Sequence, residues 1–148
     1  LTVDSIADDA AQALLAINDG SAEQFRKALP KVKDNTGLHR NALHGLAQLA
    51  DKESTKTFVN ALSDKDGETR LLALWGLVQV ADKSTLDAFL KAEQKEKGYA
   101  RIKAGSFCLQ FAEKLKGKEA GKVYKHLQST RKDPGEKYLR DLAVEAAS

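Results

Sequence analysis

A stretch of this chain repeats itself at a spacing of 31 residues. The segment Ala42-Leu-His-Gly-Leu-Ala-Gln-Leu-Ala-Asp-Lys52 matches Ala73-Leu-Trp-Gly-Leu-Val-Gln-Val-Ala-Asp-Lys83 at eight of eleven positions. The same shift carries Arg70 onto Arg101, Ala73 onto Ala104, Leu77 onto Cys108, Gln79 onto Gln110 and Lys83 onto Lys114, so a third copy follows in register. The segment after each copy repeats as well, with Phe58 on Phe89 and Ala61 on Ala92. A looser copy precedes them, Ser21 to Leu29 lying on Ser54 to Leu62 at a shift of 33. A unit of this length holding two apolar segments of helical period is a helical hairpin. Neither helix of a hairpin hides its apolar stripe alone, so adjacent hairpins must stack and share one continuous core. The expected fold class is all-α: a right-handed α-solenoid of stacked antiparallel helix pairs, about four to five repeats, forming one domain over residues 1–148.

Punctuation residues predict nine helices near 4–18, 21–33, 37–50, 54–62, 67–81, 84–95, 98–115, 118–129 and 135–147. Gly37, Gly67, Gly98 and Gly135 are expected in the left-handed position that follows a helix, where a side chain would clash with the backbone. Ser21, Ser54 and Ser84 are expected as N-caps, accepting from otherwise unpaired amides. Gly45 and Gly76 match at the repeat spacing and predict a close approach by a neighbouring helix. The last segment, Tyr138 to Ala147, reads as the first half of another repeat without its mate.

Apolar residues make up 42% of the chain and charged residues 30%, the balance of a packed globular protein rather than a disordered one. No window approaches the run of about 18 apolar residues that a membrane span needs. The chain starts at Leu1 and holds no methionine, which predicts that it is a segment of a longer polypeptide. Its net charge of +3 is unevenly spread. Residues 1–25 carry five acids and no base, whereas residues 91–140 carry fourteen bases against six acids. In a linear stack this becomes an electrostatic difference between the two ends.

The phrase Leu62-Ser-Asp64-Lys-Asp66-Gly-Glu-Thr-Arg70-Leu-Leu-Ala73-Leu-Trp-Gly-Leu77 resembles the turn of HEAT repeats, specifically the short HEAT-like repeats of phycobilin lyases. In that turn an acidic loop precedes a helix opening on valine, arginine and small apolar residues. The resemblance runs from about residue 21 to 130. It departs at Thr69, which replaces the usual valine, and at Lys95 and Lys97, which stand where the third copy's acidic turn should be. It implies a fold; an accessory, lyase-like role on a bound chromophore is an alternative that it alone recommends.

In such solenoids the second helices of successive pairs resemble a ladder lining a concave, partner-binding surface. Positions three, four and seven apart share a helix face. Asn41, His44 and Gln48 therefore form one rung, Leu72, Trp75 and Gln79 the next, and Lys103, Ser106 and Gln110 a third. Trp75 and Leu72 stand out among amides and are the expected anchors of a protein partner; the competing reading packs Trp75 between helices with its indole N–H on a glutamine. His39, Arg70 and Arg101 share one repeat position near a helix start and are expected to form a structural ladder, with Asp64 or Asp66 as the compensating acid for Arg70.

Catalytic patterns are missing. His39 and His44 lie on different sides of a helix, so no metal face forms, and no cofactor is implied. Cys108 sits in a core register, where burial makes a poor nucleophile. The expected function is thus non-enzymatic protein binding or scaffolding. The alternative partner is nucleic acid or another polyanion, attracted by the basic region 91–132 and released by salt.

Overall fold

The computed structural model describes residues 22–148, and among these it holds eight α-helices and no strand. The predicted helix near 4–18 and the Ser21 cap lie outside the described residues, as does nearly all of the acidic segment. The helices are α1 (Ala22–Val32), α2 (Thr36–Gln48), α3 (Thr55–Ala61), α4 (Gly67–Val80), α5 (Leu86–Lys95), α6 (Gly98–Leu115), α7 (Gly117–Thr130) and α8 (Lys137–Ala147). Short turns join them in pairs, α1 with α2, α3 with α4, α5 with α6 and α7 with α8. The second helices pack side by side, α2 on α4 and α4 on α6. The architecture is an α-solenoid.

One core runs through the whole stack. Leu43, Leu46, Phe58, Leu74, Leu77, Phe89, Phe111 and Leu127 are all fully or almost fully buried. Gly45 and Gly76 do permit a close approach, and the visitor is the aromatic ring of the preceding helix. A methyl group on Gly76 would lie 2.5 Å from the Phe58 ring, and one on Gly45 would collide with Phe25. In the third pair the matching position is Phe107, and Phe89 instead packs on Phe111 with centroids 4.8 Å apart.

Two kinds of punctuation differ from expectation. Left-handed backbone falls on Ala50, Ala81 and Lys116 as well as on Gly98 and Gly117, while Gly67 and Gly37 lie inside helix starts and Gly135 in a short 3-10 turn. Ala81 ends α4 in this conformation, its amide bonding to Leu77. The caps are acids and an amide rather than serines. Asn35 accepts from the Leu38 amide at 3.0 Å, Asp66 from Thr69 at 2.9 Å and Asp82 from Ser84 at 2.8 Å. A carboxylate answers the partial positive charge of a helix start better than a hydroxyl does. Ser54 is instead buried, its hydroxyl donating to Asp51.

The closing helix also differs. α8 is the second member of the fourth pair, with α7 as its mate, rather than an unpaired first helix. Gly67-Glu-Thr-Arg70 of α4, Gly98-Tyr-Ala-Arg101 of α6 and Lys137-Tyr-Leu-Arg140 of α8 occupy equivalent starts. Ala73, Ala104 and Ala143 are each fully buried three residues further on. The step from α6 to α8 is 39 residues instead of 31, which hid the last copy from a fixed-shift comparison.

Candidate functional site

Three second helices build a surface groove of about 460 Å³. Arg40 and His44 of α2 form one wall; Glu68, Leu71, Leu72 and Trp75 of α4 form the floor; Tyr99, Lys103 and Phe107 of α6 form the other wall. The helix periodicity explains the set. Residues 68, 72 and 75 share a face of α4, and 99, 103 and 107 share a face of α6. Matched repeat positions 68/99 and 72/103 line the same groove, so α4 and α6 run in the same direction.

Of the predicted rungs, the structure brings His44, Leu72, Trp75 and Lys103 together in this groove. Asn41, Gln48, Ser106 and Gln110 lie outside its lining. Gln79 is engaged elsewhere: Lys114 donates to its Oε1 at 3.2 Å, bridging the C-terminal halves of α4 and α6. The groove is therefore open one turn nearer the helix starts than the sequence placed it. Trp75 stacks on His44, with ring centroids 5.2 Å apart and planes at 28°, so the indole leans on an imidazole rather than a glutamine. Arg40, Glu68, Leu71, Tyr99 and Phe107 were missed. Glu68 and Tyr99 stand four residues before Leu72 and Lys103, so extending each rung by one turn would have found them.

Arginines run along the starts of the second helices. Arg70 grips Glu96 with Nε at 2.7 Å and Nη2 at 3.2 Å, and donates to the Asp64 carbonyl at 2.9 Å. Arg101 repeats this with Glu136, at 2.5 and 3.2 Å, and with the Thr130 carbonyl at 2.8 Å. The bonded acid thus comes from the connection leading into the next second helix, while the Asp66 and Asp64 side chains add only charge at Arg70. In the copy before, Arg40 reaches Asp66 at 3.7 Å, and His39 faces a separate hollow with Arg26, Leu29 and Thr57. Burial would raise the Glu136 carboxyl, but the hydrogen bond and charge of Arg101, with Arg131 adding to them, hold it below its ordinary value.

A second polar cluster lies inside the stack between the third and fourth pairs. Glu93 and Arg131 are both fully buried and form an ion pair. Glu93 also meets His126 Nε2 at 2.6 Å, and Arg131 Nε lies 3.8 Å from Glu136. Burial, followed by the Arg101 charge, lowers His126 from its ordinary value, which fits a neutral ring donating Nε2–H to a carboxylate already committed to Arg131. Burial likewise lowers the Arg131 guanidinium against the pull of Glu136. Two bases of the 91–132 stretch, Arg101 and Arg131, are thus spent on internal acids. No group of three His, Cys, Asp or Glu among the described residues could hold a metal. Cys108 is buried, which pushes its thiol up.

Helix pairs stacked on one core, with a groove along the parallel second helices, define an α-solenoid of the helical-repeat class. A family model for HEAT repeats matches residues 22–106, and the chain belongs to that family. Comparisons with curated proteins and with solved structures gave no match. HEAT repeats generally mediate protein–protein interaction or scaffolding. No helix among the described residues is long and apolar enough to cross a membrane.

Proposed function

We propose that this chain is a non-catalytic protein-binding module whose partner seats in the groove between α2, α4 and α6. The observation that carries this reading is an aromatic and aliphatic lining in which Leu72 and Trp75 are partly exposed and Tyr99 is open to solvent, over a base that includes the buried Phe107. Tyr99 is 70% exposed, an expensive way to hold an aromatic ring unless something covers it. Aromatic side chains in such settings carry a large share of binding energy in known interfaces.

The test begins with a benzophenone side chain in place of Tyr99, which crosslinks whatever protein seats there in cells that express the chain. With the captured protein purified, Trp75→Ala is expected to weaken its binding by about 2 kcal/mol, roughly thirtyfold, at unchanged helicity. Equal affinity in a folded variant would rule the groove out. A second reading, polyanion binding, is favoured by the exposed lysines at the α6–α7 turn, Lys114, Lys116, Lys118 and Lys122. It predicts retention on heparin that salt abolishes.

A further inference from the structure

The apolar surface does not stop at α6. The shared start of α4, α6 and α8 places Glu68, Tyr99 and Tyr138 in one row, and Leu72, Lys103 and Leu142 in the row one turn further on. Leu139 of α8 packs against Gly105 of α6, so the fourth rung lies directly beside the third. Tyr138 and Leu142 are about half exposed, like Ile102 on α6. An open apolar strip therefore crosses three successive rungs, from Trp75 past Tyr99 to Tyr138 and Leu142.

The charges bordering this strip are mostly positive. Lys103 stands between Leu72 and Leu142 in its row and has no carboxylate partner among the described residues. Arg40, on the opposite wall, touches Asp66 only at 3.7 Å. Asp141, the acid nearest on α8, is held by Lys137 four residues before it. Glu68 is the one acid among the groove's lining residues. Tyr99 and Tyr138 of the strip lie in the first turns of α6 and α8, whose amide ends add partial positive charge.

Resting on the protein-binding reading of the groove, we infer that the occupant is an acidic segment of another protein. Its aromatic or long aliphatic side chains would be spaced about 10 Å apart, one for each rung at ordinary helix-packing distance. Apolar anchors would insert beside Trp75, Tyr99 and Tyr138, and carboxylates would face Lys103 and Arg40. Charge complementarity selects acidic over basic segments, while the anchors supply most of the affinity.

A random-peptide display library panned on the full chain tests this, followed by affinities of the selected peptides for the wild type, Trp75→Ala, Tyr138→Ala, Lys103→Glu and the control Lys118→Glu. The expected result is enrichment of Asp and Glu around aromatic residues, with binding weakened by added salt. Lys103→Glu should weaken it roughly five- to tenfold and Lys118→Glu much less. All of these side chains except Trp75 are exposed, so their variants should fold, and circular dichroism checks each. Selected peptides that depend on Trp75 but carry no acidic bias, or bind Lys103→Glu undiminished, would overturn the acidic occupant while leaving the groove standing. Indifference to Tyr138→Ala would overturn the extension to α8. Peptides insensitive to Trp75→Ala would bring down both readings.

Discussion

Phe58 lays its ring where a side chain on Gly76 would have to stand, and the ring is itself fully buried. Gly76→Ala should therefore cost about 1–3 kcal/mol in chemical denaturation, because neither ring nor backbone has room to yield. Adding Phe58→Leu should return part of the loss, since the two changes share one space and cannot be additive. His126 gives a prediction in pH. Its ordinary value is 6.5, and burial together with Arg101 lowers it in the fold. The unfolded chain then binds a proton before the folded chain does. The His126 contribution to stability is full above about 6.5 and is lost as the pH falls from there through the folded value. Urea midpoints taken from neutral to mildly acidic pH should fall in the wild type and stay flatter in His126→Gln, whose amide can still donate to Glu93. The lowered carboxyls of Asp51, Asp66, Asp82 and Glu136 act in a separate, more acidic window. Gly76 was readable from the sequence because its match to Gly45 sits among core residues. His126 and Arg131 were not, because their partners Glu93 and Glu136 belong to other elements and nothing in the chain's order links them.

At the scale of the element, each second helix is tied to the next by an arginine near its start. Arg70 spans from α4 to Glu96, two residues before α6, and Arg101 from α6 to Glu136, the residue before α8. Glu96 is only 6% exposed, so removing its partner strands a nearly buried charge. Arg70→Ala should cost about 2 kcal/mol, and Arg70→Lys should recover less than half of it, because a single ammonium cannot reproduce the two-point grip. Helix existence was legible from the apolar period, and most boundaries fell within two residues of expectation. Capping chemistry was less legible. Ser54 and Ser84 precede helices as a cap should, yet Ser54 closes and Ser84 lies within a 3-10 turn that an aspartate has already started. The left-handed positions escaped for a similar reason: Ala50 and Ala81 take positive φ at helix ends, where their amides bond back to Ala47 and Leu77, and an alanine does not announce that conformation.

For the whole molecule, stability is a sum over neighbours, and the fourth pair is the sole described neighbour of the third on its far side. Ending the chain at Thr130 would remove Leu139 from Gly105, Glu136 from Arg101 and Arg131 from Glu93. The shortened chain should lose more helix by circular dichroism than the deleted residues account for, with a smaller urea m-value, because α7 would lose its mate and α6 part of its cover. The stacking itself was legible in the 31-residue spacing; the fourth pair was not, because the step widens to 39. The candidate groove was half legible: helical geometry named its central residues, but how closely the C-terminal halves of α4 and α6 are bridged is a tertiary matter. One last property follows from Trp75. It is the only tryptophan in the chain, and it stands in the groove against His44. Under selective excitation near the red edge of absorption, nearly all the emitted light comes from that spot, so the protein carries its own optical probe, and a seated ligand should shift its colour without any label attached.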